Sequence, residues 1–183
     1  MSEPGWQVHS REPLCETPHL AVYRERVTTP HQSAPVEWLT VDRKVGVVIV
    51  PRRTDGSWLL IHEDRISPRR SFWSFPAGQV DDPSPQGLAT AQSELTEETG
   101  HLARGEWHYL GPMFTSPGFT NEHVHLWLAD AVEPMTEPLS REAAIRDIRA
   151  FSSEELAAAV REGTVCDANT LSALTQLAVR GLF

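Results

Sequence analysis

The sequence predicts one α/β layered domain, and three observations carry that expectation. Segments of strand character precede a capped helix, more strands follow it, and two capped helices close the chain. That order suits layered packing better than a regular doubly wound sheet. Residues 45–50 form a continuous apolar run, the pattern of a strand buried on both faces. Lastly, 183 residues with 40% hydrophobic content suffice for one sizeable core, and no internal repeat or low-complexity linker divides them.

Residues 1–18 hold Pro4, Gly5, Pro13 and Pro18 and lack apolar periodicity. They are expected to form a loose terminal segment ahead of a single domain over 19–183. Apolar and polar side chains alternate over 20–27 and 36–41, as half-buried strands require. After the 45–50 run, Thr54-Asp55-Gly56-Ser57 reads as a hairpin turn into a strand over 58–62, because Asp and Gly tolerate positive φ. A short strand is expected over 72–75. The next element is a helix over 85–99, with Ser84 as N-cap, Pro85 at the first helical position and Gly100 as a left-handed stop. Val124, Leu126 and Leu128 then alternate with His123, His125 and Trp127 in a strand with two distinct faces, the histidines read as outward-facing. The penultimate helix opens on a Ser152/Glu155 capping box and ends near Gly163. The last is capped by Asp167 and carries Leu171, Leu174 and Ala178 on one face.

Charge narrows the function. A net charge of -9 argues against nucleic acid as a partner, since affinity for a phosphate backbone comes from clustered Lys and Arg. An anionic small molecule would need local cations here, either arginines or a bound metal ion. No apolar run approaches the roughly 20 residues that cross a bilayer, and no charged-then-apolar leader opens the chain, so the expected location is the cytoplasm, without membrane association. Cys15 and Cys166 stand far apart without paired spacing and read as free thiols, not as a disulfide or a zinc site.

The most informative run is Ser93-Glu94-Leu95-Thr96-Glu97-Glu98-Thr99-Gly100. Spacings of i, i+3 and i+4 place Glu94, Glu97 and Glu98 on one helix face, with Leu88, Ala91 and Leu95 opposite. Three carboxylates near a helix C-terminus oppose the macrodipole at about 0.3–1 kcal/mol each. Alone, such a run reads equally well as a solvated acidic face. Upstream, however, Pro76-Ala77-Gly78 follows the expected strand 72–75, and a turn there brings backbone carbonyls beside the helix. Carboxylates and a carbonyl are hard oxygen donors suited to Mg²⁺. Clustered Cys and His ligands are absent, which disfavours a transition metal.

Pro76-Ala77-Gly78 followed by Glu94 to Gly100 resembles the loop-helix-loop of the Nudix hydrolases, and the ADP-ribose pyrophosphatase branch fits best. Trp73-Ser74-Phe75-Pro76-Ala77-Gly78 stands where that branch carries Trp-Glu-Leu-Pro-Ala-Gly, and Pro117 in Ser116-Pro117-Gly118-Phe119 matches its downstream proline. The resemblance extends to Asp167-Ala168-Asn169-Thr170-Leu171 and so runs from about residue 45 onward. It implies a Nudix α/β/α sandwich with a mixed β-sheet, and metal ligation by Glu94, Glu98 and the Ala77 carbonyl. Glu97 would be a further ligand or base. The family's later-loop catalytic glutamate would be Glu142 or Glu137, either of which reads equally well as an exposed loop charge. The metal would be Mg²⁺, with Mn²⁺ as a possible substitute. The substrate would be a nucleoside diphosphate derivative, first of all ADP-ribose, cleaved to AMP and ribose 5-phosphate. The branch also implies a homodimer that exchanges its early strands.

Other residues follow with alternatives attached. Arg65, Arg69 and Arg70 precede the 72–75 strand as phosphate contacts or a solvated basic loop, with Arg65 preferred because the branch has an arginine in that region. Trp38 would stack on adenine or simply pack, and Glu122, after Pro117, would contact the substrate's ribose or lie exposed on a turn. The chain also departs from the family pattern. The segment from Gly78 to Glu94 is one residue longer, the family's early glutamate falls near Ser84, and its box arginine is Ser93. The resemblance implies that this lost pair braces the loop, and losing both members avoids stranding one buried charge. The departure leaves open a second function, a nucleotide-binding or sensor protein with impaired catalysis.

Overall fold

A computed structural model of the chain describes residues 5–81, 84–136 and 144–183. The chain divides into two compact units, residues 1–44 with 114–123, and residues 45–113 with 124–183.

The first unit is built on a three-stranded antiparallel meander, β1 (Gln7–Glu16), β2 (Leu20–Thr29) and β3 (Gln32–Arg43). The two strands expected over 20–27 and 36–41 are both present and longer. The loose segment is not: residues 7–16 form β1. Its ten residues are all exposed, so no apolar alternation marked them. Pro13 is tolerated at a sheet edge, beside an irregularity in the β1–β2 register.

The second unit is a mixed eight-stranded sheet. It contains β4 (Gly46–Arg53), β5 (Trp58–Arg65), β6 (Arg70–Ser74), β7 (Ala77–Gln79), β8 (His101–Ala103), β9 (Trp107–Phe114), β10 (His123–Pro134) and β11 (Ile145–Phe151), the end residues Phe114 and His123 falling in the first unit. The main order is β11-β5-β4-β10-β8, with β6 on β5, β7 on β4 and β9 on β10; β10–β4 runs parallel, while β10–β8, β11–β5, β4–β5, β4–β7 and β5–β6 run antiparallel. β4 is buried along residues 46–51, as its apolar run predicts. The 54–57 turn closes as expected, with the Gly56 amide on the Arg53 carbonyl and the Ser57 amide on Asp55.

Beyond that turn β4 and β5 share one pair, Arg52 with Trp58, and then part. β6 follows β5 and β7 follows β4, so residues 75–76 cross from one strand to the other. This wedge sets the site.

Helices cover both faces of the sheet. α2 (Ser153–Glu162) and α3 (Ala168–Val179) bury Leu156, Ala159, Ala173 and Leu177 against Val48, Val50, Leu60, Leu126 and Leu128. α1 (Leu88–Thr99) buries Ala91 and Leu95 against Val47, Ile49, Trp127 and Ala129. The layers are those of the expected α/β/α sandwich. Removing a side chain such as Leu95 from so closed a layer would cost about 2–5 kcal/mol.

Two helix details differ from expectation. Ser84 and Pro85 open a 3-10 turn, Pro85–Gly87, and α1 starts only at Leu88 with left-handed Gly87 (φ 67°) as N-cap, although the Ser84 hydroxyl still accepts from the Ala89 amide at 3.0 Å. Packing decides this: a Cβ at Gly87 would lie 2.6 Å from Val80 and 2.8 Å from Val47, so only glycine brings the chain so close to the sheet. The indole of Trp127 holds the same turn by donating to the Gln86 carbonyl at 3.1 Å. In α3 the buried face is Thr170, Ala173 and Leu177, Leu174 is half-buried and Ala178 is exposed. The Phe75 amide donates to the Thr170 hydroxyl at 2.9 Å, which turns Thr170 inward.

Candidate active site

The site grows from the wedge. Pro76 accepts from the Ile49 amide at 2.9 Å, fixing the crossing chain to β4, and Ala77 then pairs with Val48. The Ala77 amide points to α1 and donates to Glu98 Oε2 at 2.9 Å. Glu98 is only 5% exposed, a buried carboxylate held by a backbone donor. Gly78 follows for a steric reason: a Cβ there would stand 1.8 Å from Oε1 of Glu94 and 2.2 Å from its Cδ. The Glu94 carboxyl therefore lies directly over the loop backbone, in space that any other residue would fill.

Glu94 and Glu98 thus meet the Pro76-Ala77-Gly78 loop as the spacing predicts. Glu97 does not join them. It is exposed and lines a separate hollow of about 630 Å³ with Ser93, Thr96, Leu102 and Trp107. At 100° per residue the three carboxylates fan over about 100° of helix, so one end of the stripe leaves the loop. Ser93, where the family box has arginine, faces that same hollow. Among the described residues no three His, Cys, Asp or Glu side chains converge as a metal cluster. Glu137 and Glu142 lie outside the described residues.

The helix end beyond the site is ordered by Gly100 (φ 67°), whose amide donates to Thr96 at 2.8 Å. His101 follows with Nδ1 2.8 Å from the Thr99 carbonyl, and burial pushes its imidazole pKa down.

Arg65 ends β5 and pairs with Glu63, Nη2 to Oε2 at 2.8 Å. Arg70 lies over the Phe72 ring, 5.1 Å from its centroid, and Arg69 takes the left-handed conformation in the turn (φ 53°). Next to them, hydrogen bonds from Ser71 (2.5 Å) and Arg146 (2.6 Å) hold the Asp64 carboxyl below the usual carboxylate range.

In the first unit, Trp38 and Pro117 share a hollow of about 1140 Å³ with Arg11, Thr40, Asp42 and Phe119. Trp38 is 54% exposed, and its indole donates to the Gly118 carbonyl at 3.0 Å. Glu122 is engaged elsewhere, by Arg43 at 3.0 Å and the Thr115 hydroxyl at 2.7 Å. The hollow, and the role of Gly87 in seating α1, escaped the sequence reading; the Gln86-Gly87 step was the signal that could have shown the latter. His123 and His125 lie on the face of β10 that also carries Trp127, and His125 Nδ1 meets the Tyr109 hydroxyl at 2.8 Å.

Comparison with known proteins agrees with this geometry. The family profile described as NUDIX domain matches residues 42–173. An ADP-ribose pyrophosphatase of Mycobacterium tuberculosis is 30% identical over 138 residues, 75% of this chain and 66% of that protein. An ADP-ribose pyrophosphatase of Bacillus subtilis is 28% identical over 163 residues, 88% of this chain and 86% of its own. A methanol dehydrogenase activator of Bacillus methanolicus is 25% identical over 136 residues, 72% of this chain and 71% of that one. A solved structure described as an ADP compounds hydrolase superposes over the whole of both chains with a TM-score of 0.79 at 18% identity, which bears on fold alone. With the NUDIX profile spanning most of the chain and the loop-helix geometry in place, this chain belongs to the Nudix hydrolase family.

Proposed function

We propose that the protein hydrolyses the diphosphate bond of a nucleoside diphosphate derivative in a magnesium-dependent reaction, with ADP-ribose as the foremost substrate and AMP and ribose 5-phosphate as products. One observation carries the reading: Glu98 is buried on the Ala77 amide while Glu94 lies over Gly78, so two carboxylates are fixed at one backbone loop. A helix with carboxylates in its last turns and no basic residue there is poorly arranged for its own stability. A cation resolves that conflict, and the donor set of carboxylate and backbone oxygen suits Mg²⁺, or Mn²⁺ in its place, with water completing the shell.

Glu94, Glu98 and the Ala77 carbonyl would hold the metal, which when bound neutralises diphosphate charge and lowers the pKa of a water. Water adds to one phosphorus, the bridging P–O bond breaks, and a loop carboxylate, Glu142, accepts the water's proton. Arg65 would contact the phosphates, and Trp38 and Pro117 the nucleoside. The relatives named ADP-ribose pyrophosphatase support this choice of substrate. Two copies would associate, a reading motivated by the exposed apolar Trp6, Val8, Trp38 and Leu39 of the first unit. Its location would be the cytoplasm; among the described residues no helix is long and apolar enough to cross a membrane.

The test is incubation with Mg²⁺ and a panel of ADP-ribose, NADH, nucleotide sugars and dinucleoside polyphosphates, with product identification. ADP-ribose is expected to be turned over fastest. The position of Ser93, away from the loop, favours one rival, a binding or sensor protein with impaired catalysis. Tight ADP-ribose binding without turnover of any panel member would select that rival. Sedimentation at micromolar concentration tests the dimer.

A further inference from the structure

We propose that Glu63 is a positioning residue for Arg65, fixing its guanidinium in advance for the substrate phosphates; this rests on the reading above, in which Arg65 is a phosphate contact. Strand geometry places the pair on the correct face. Along β5, Trp58 and Leu60 enter the core under α2 and α3, and His62 stacks on Trp73 at 4.9 Å, which packs on that same core. Alternation then directs Ile61, Glu63 and Arg65 to the opposite face. Across the ladder, Glu63 pairs with Phe72 and Ile61 with Ser74, and β6 continues through residues 75–76 to Gly78, which faces Glu94. The ion pair therefore lies on the sheet face that carries the two site glutamates.

The two partners are unequal. The Glu63 side chain is 12% exposed, whereas that of Arg65 is 46% exposed, so the carboxylate is the sheltered anchor and the guanidinium the presented end. The contact uses Nη2, and a guanidinium has five N–H donors, which leaves others for phosphate oxygens. A flexible arginine at a strand end must lose rotamer freedom on binding an anion, and a partner that holds it beforehand lowers that cost. The adjacent carboxylate does not compete for it, because Asp64 is engaged by Ser71 and Arg146. An opposing effect exists: a carboxylate near an anion site repels the anion. Positioning wins only if removing Glu63 weakens binding.

A double-mutant cycle decides. ADP-ribose is titrated calorimetrically in EDTA into the parent, Arg65→Ala, Glu63→Ala and the double variant, with steady-state kinetics in Mg²⁺ alongside. Each single variant should weaken binding by roughly threefold to tenfold, the entropy of one immobilised side chain. The double variant should bind no more weakly than Arg65→Ala, since Glu63 acts through Arg65. KM should rise with kcat within about threefold, and Glu63→Gln, which keeps an acceptor oxygen, should restore most of the affinity. If Glu63→Ala does not fold, Glu63→Leu, which fills the volume beside Phe72, takes its place in the cycle. Equal or tighter binding by the Glu63 variants, additive losses in the double variant, or a kcat loss of orders of magnitude would each overturn the inference while leaving the hydrolase reading intact. A parent that neither binds nor cleaves ADP-ribose would sink both.

Discussion

α1 and α2 are similar in length, 12 and 10 residues, and opposite in the way their charges are used. α2 opens on a full capping box between Ser152 and Glu155, carries Glu154 and Glu155 in its first turn and Arg161 in its last, and stops at left-handed Gly163. Every one of these choices favours an α-helix on its own terms. α1 has a glycine N-cap, no acidic residue in its first turn, no basic residue in its last, and glutamates where the dipole least wants them. Packing of Ala91 and Leu95 holds α1 in place despite these termini. The helix with good local chemistry serves the fold, and the helix with poor local chemistry carries the candidate site, where the proposed function would account for a pair of carboxylates preset against local stability.

The sharpest way to test that contrast is to neutralise the carboxylates. Glu94→Gln and Glu98→Gln should each lower hydrolysis by roughly a thousandfold, the scale of losing metal-ion catalysis, while the melting temperature stays level or rises, since the dipole conflict is relieved. Mg²⁺ should raise the parent's melting temperature and should do so less in Glu98→Gln. A mutant that responds to metal like the parent would remove Glu98 from the ligand set. Next in size is Gly78→Ala. Its Cβ would meet Glu94, and displacing that carboxylate by about 1 Å should cost roughly a hundredfold in rate with the fold intact by circular dichroism.

On α2 the reverse pattern is expected. Ser152→Ala removes a real cap and should cost about 1 kcal/mol in denaturant unfolding, with kcat unchanged. A loss of activity without loss of stability would erase the distinction between the two helices. The smallest expected effect is at the end of α1. Burial lowers the His101 pKa from its ordinary 6.5, so the fold prefers the neutral ring. The stabilisation is present above pH 6.5 and is lost as the pH falls through the lower folded value. His101→Gln should flatten the dependence of melting temperature on pH just below that point, and a parallel curve would contradict the assignment.

The same contrast explains what could be read from sequence. α2 and the start of α3 follow from local capping chemistry, and Ser152, Glu155 and Asp167 behave as their positions predict. β4 was legible because burial on both faces leaves a continuous apolar run. The start of α1 was not, because Ser84 and Pro85 gave a good local signal that the close approach of Gly87 to Val47 and Val80 overrides. β1 was missed for lack of buried residues, and β9 because Gly111, at φ 110°, and Pro112 interrupt its pattern. At the site, spacing brought Glu94 and Glu98 to the loop correctly but could not show that Glu97 sits in another hollow, since periodicity gives an angle on a helix and not what faces it.

The Ala77 amide, held by a carboxylate where a strand would supply a carbonyl, makes the site observable through one proton. Its nuclear resonance frequency depends on the charge of Glu98, and its exchange with deuterated solvent depends on how long that bond stays closed. A spectroscopist could therefore follow the arrival of a cation, or protonation of the buried carboxyl, at a single backbone position without any substrate present. The contact that seats the loop is also a built-in gauge of the state of the site.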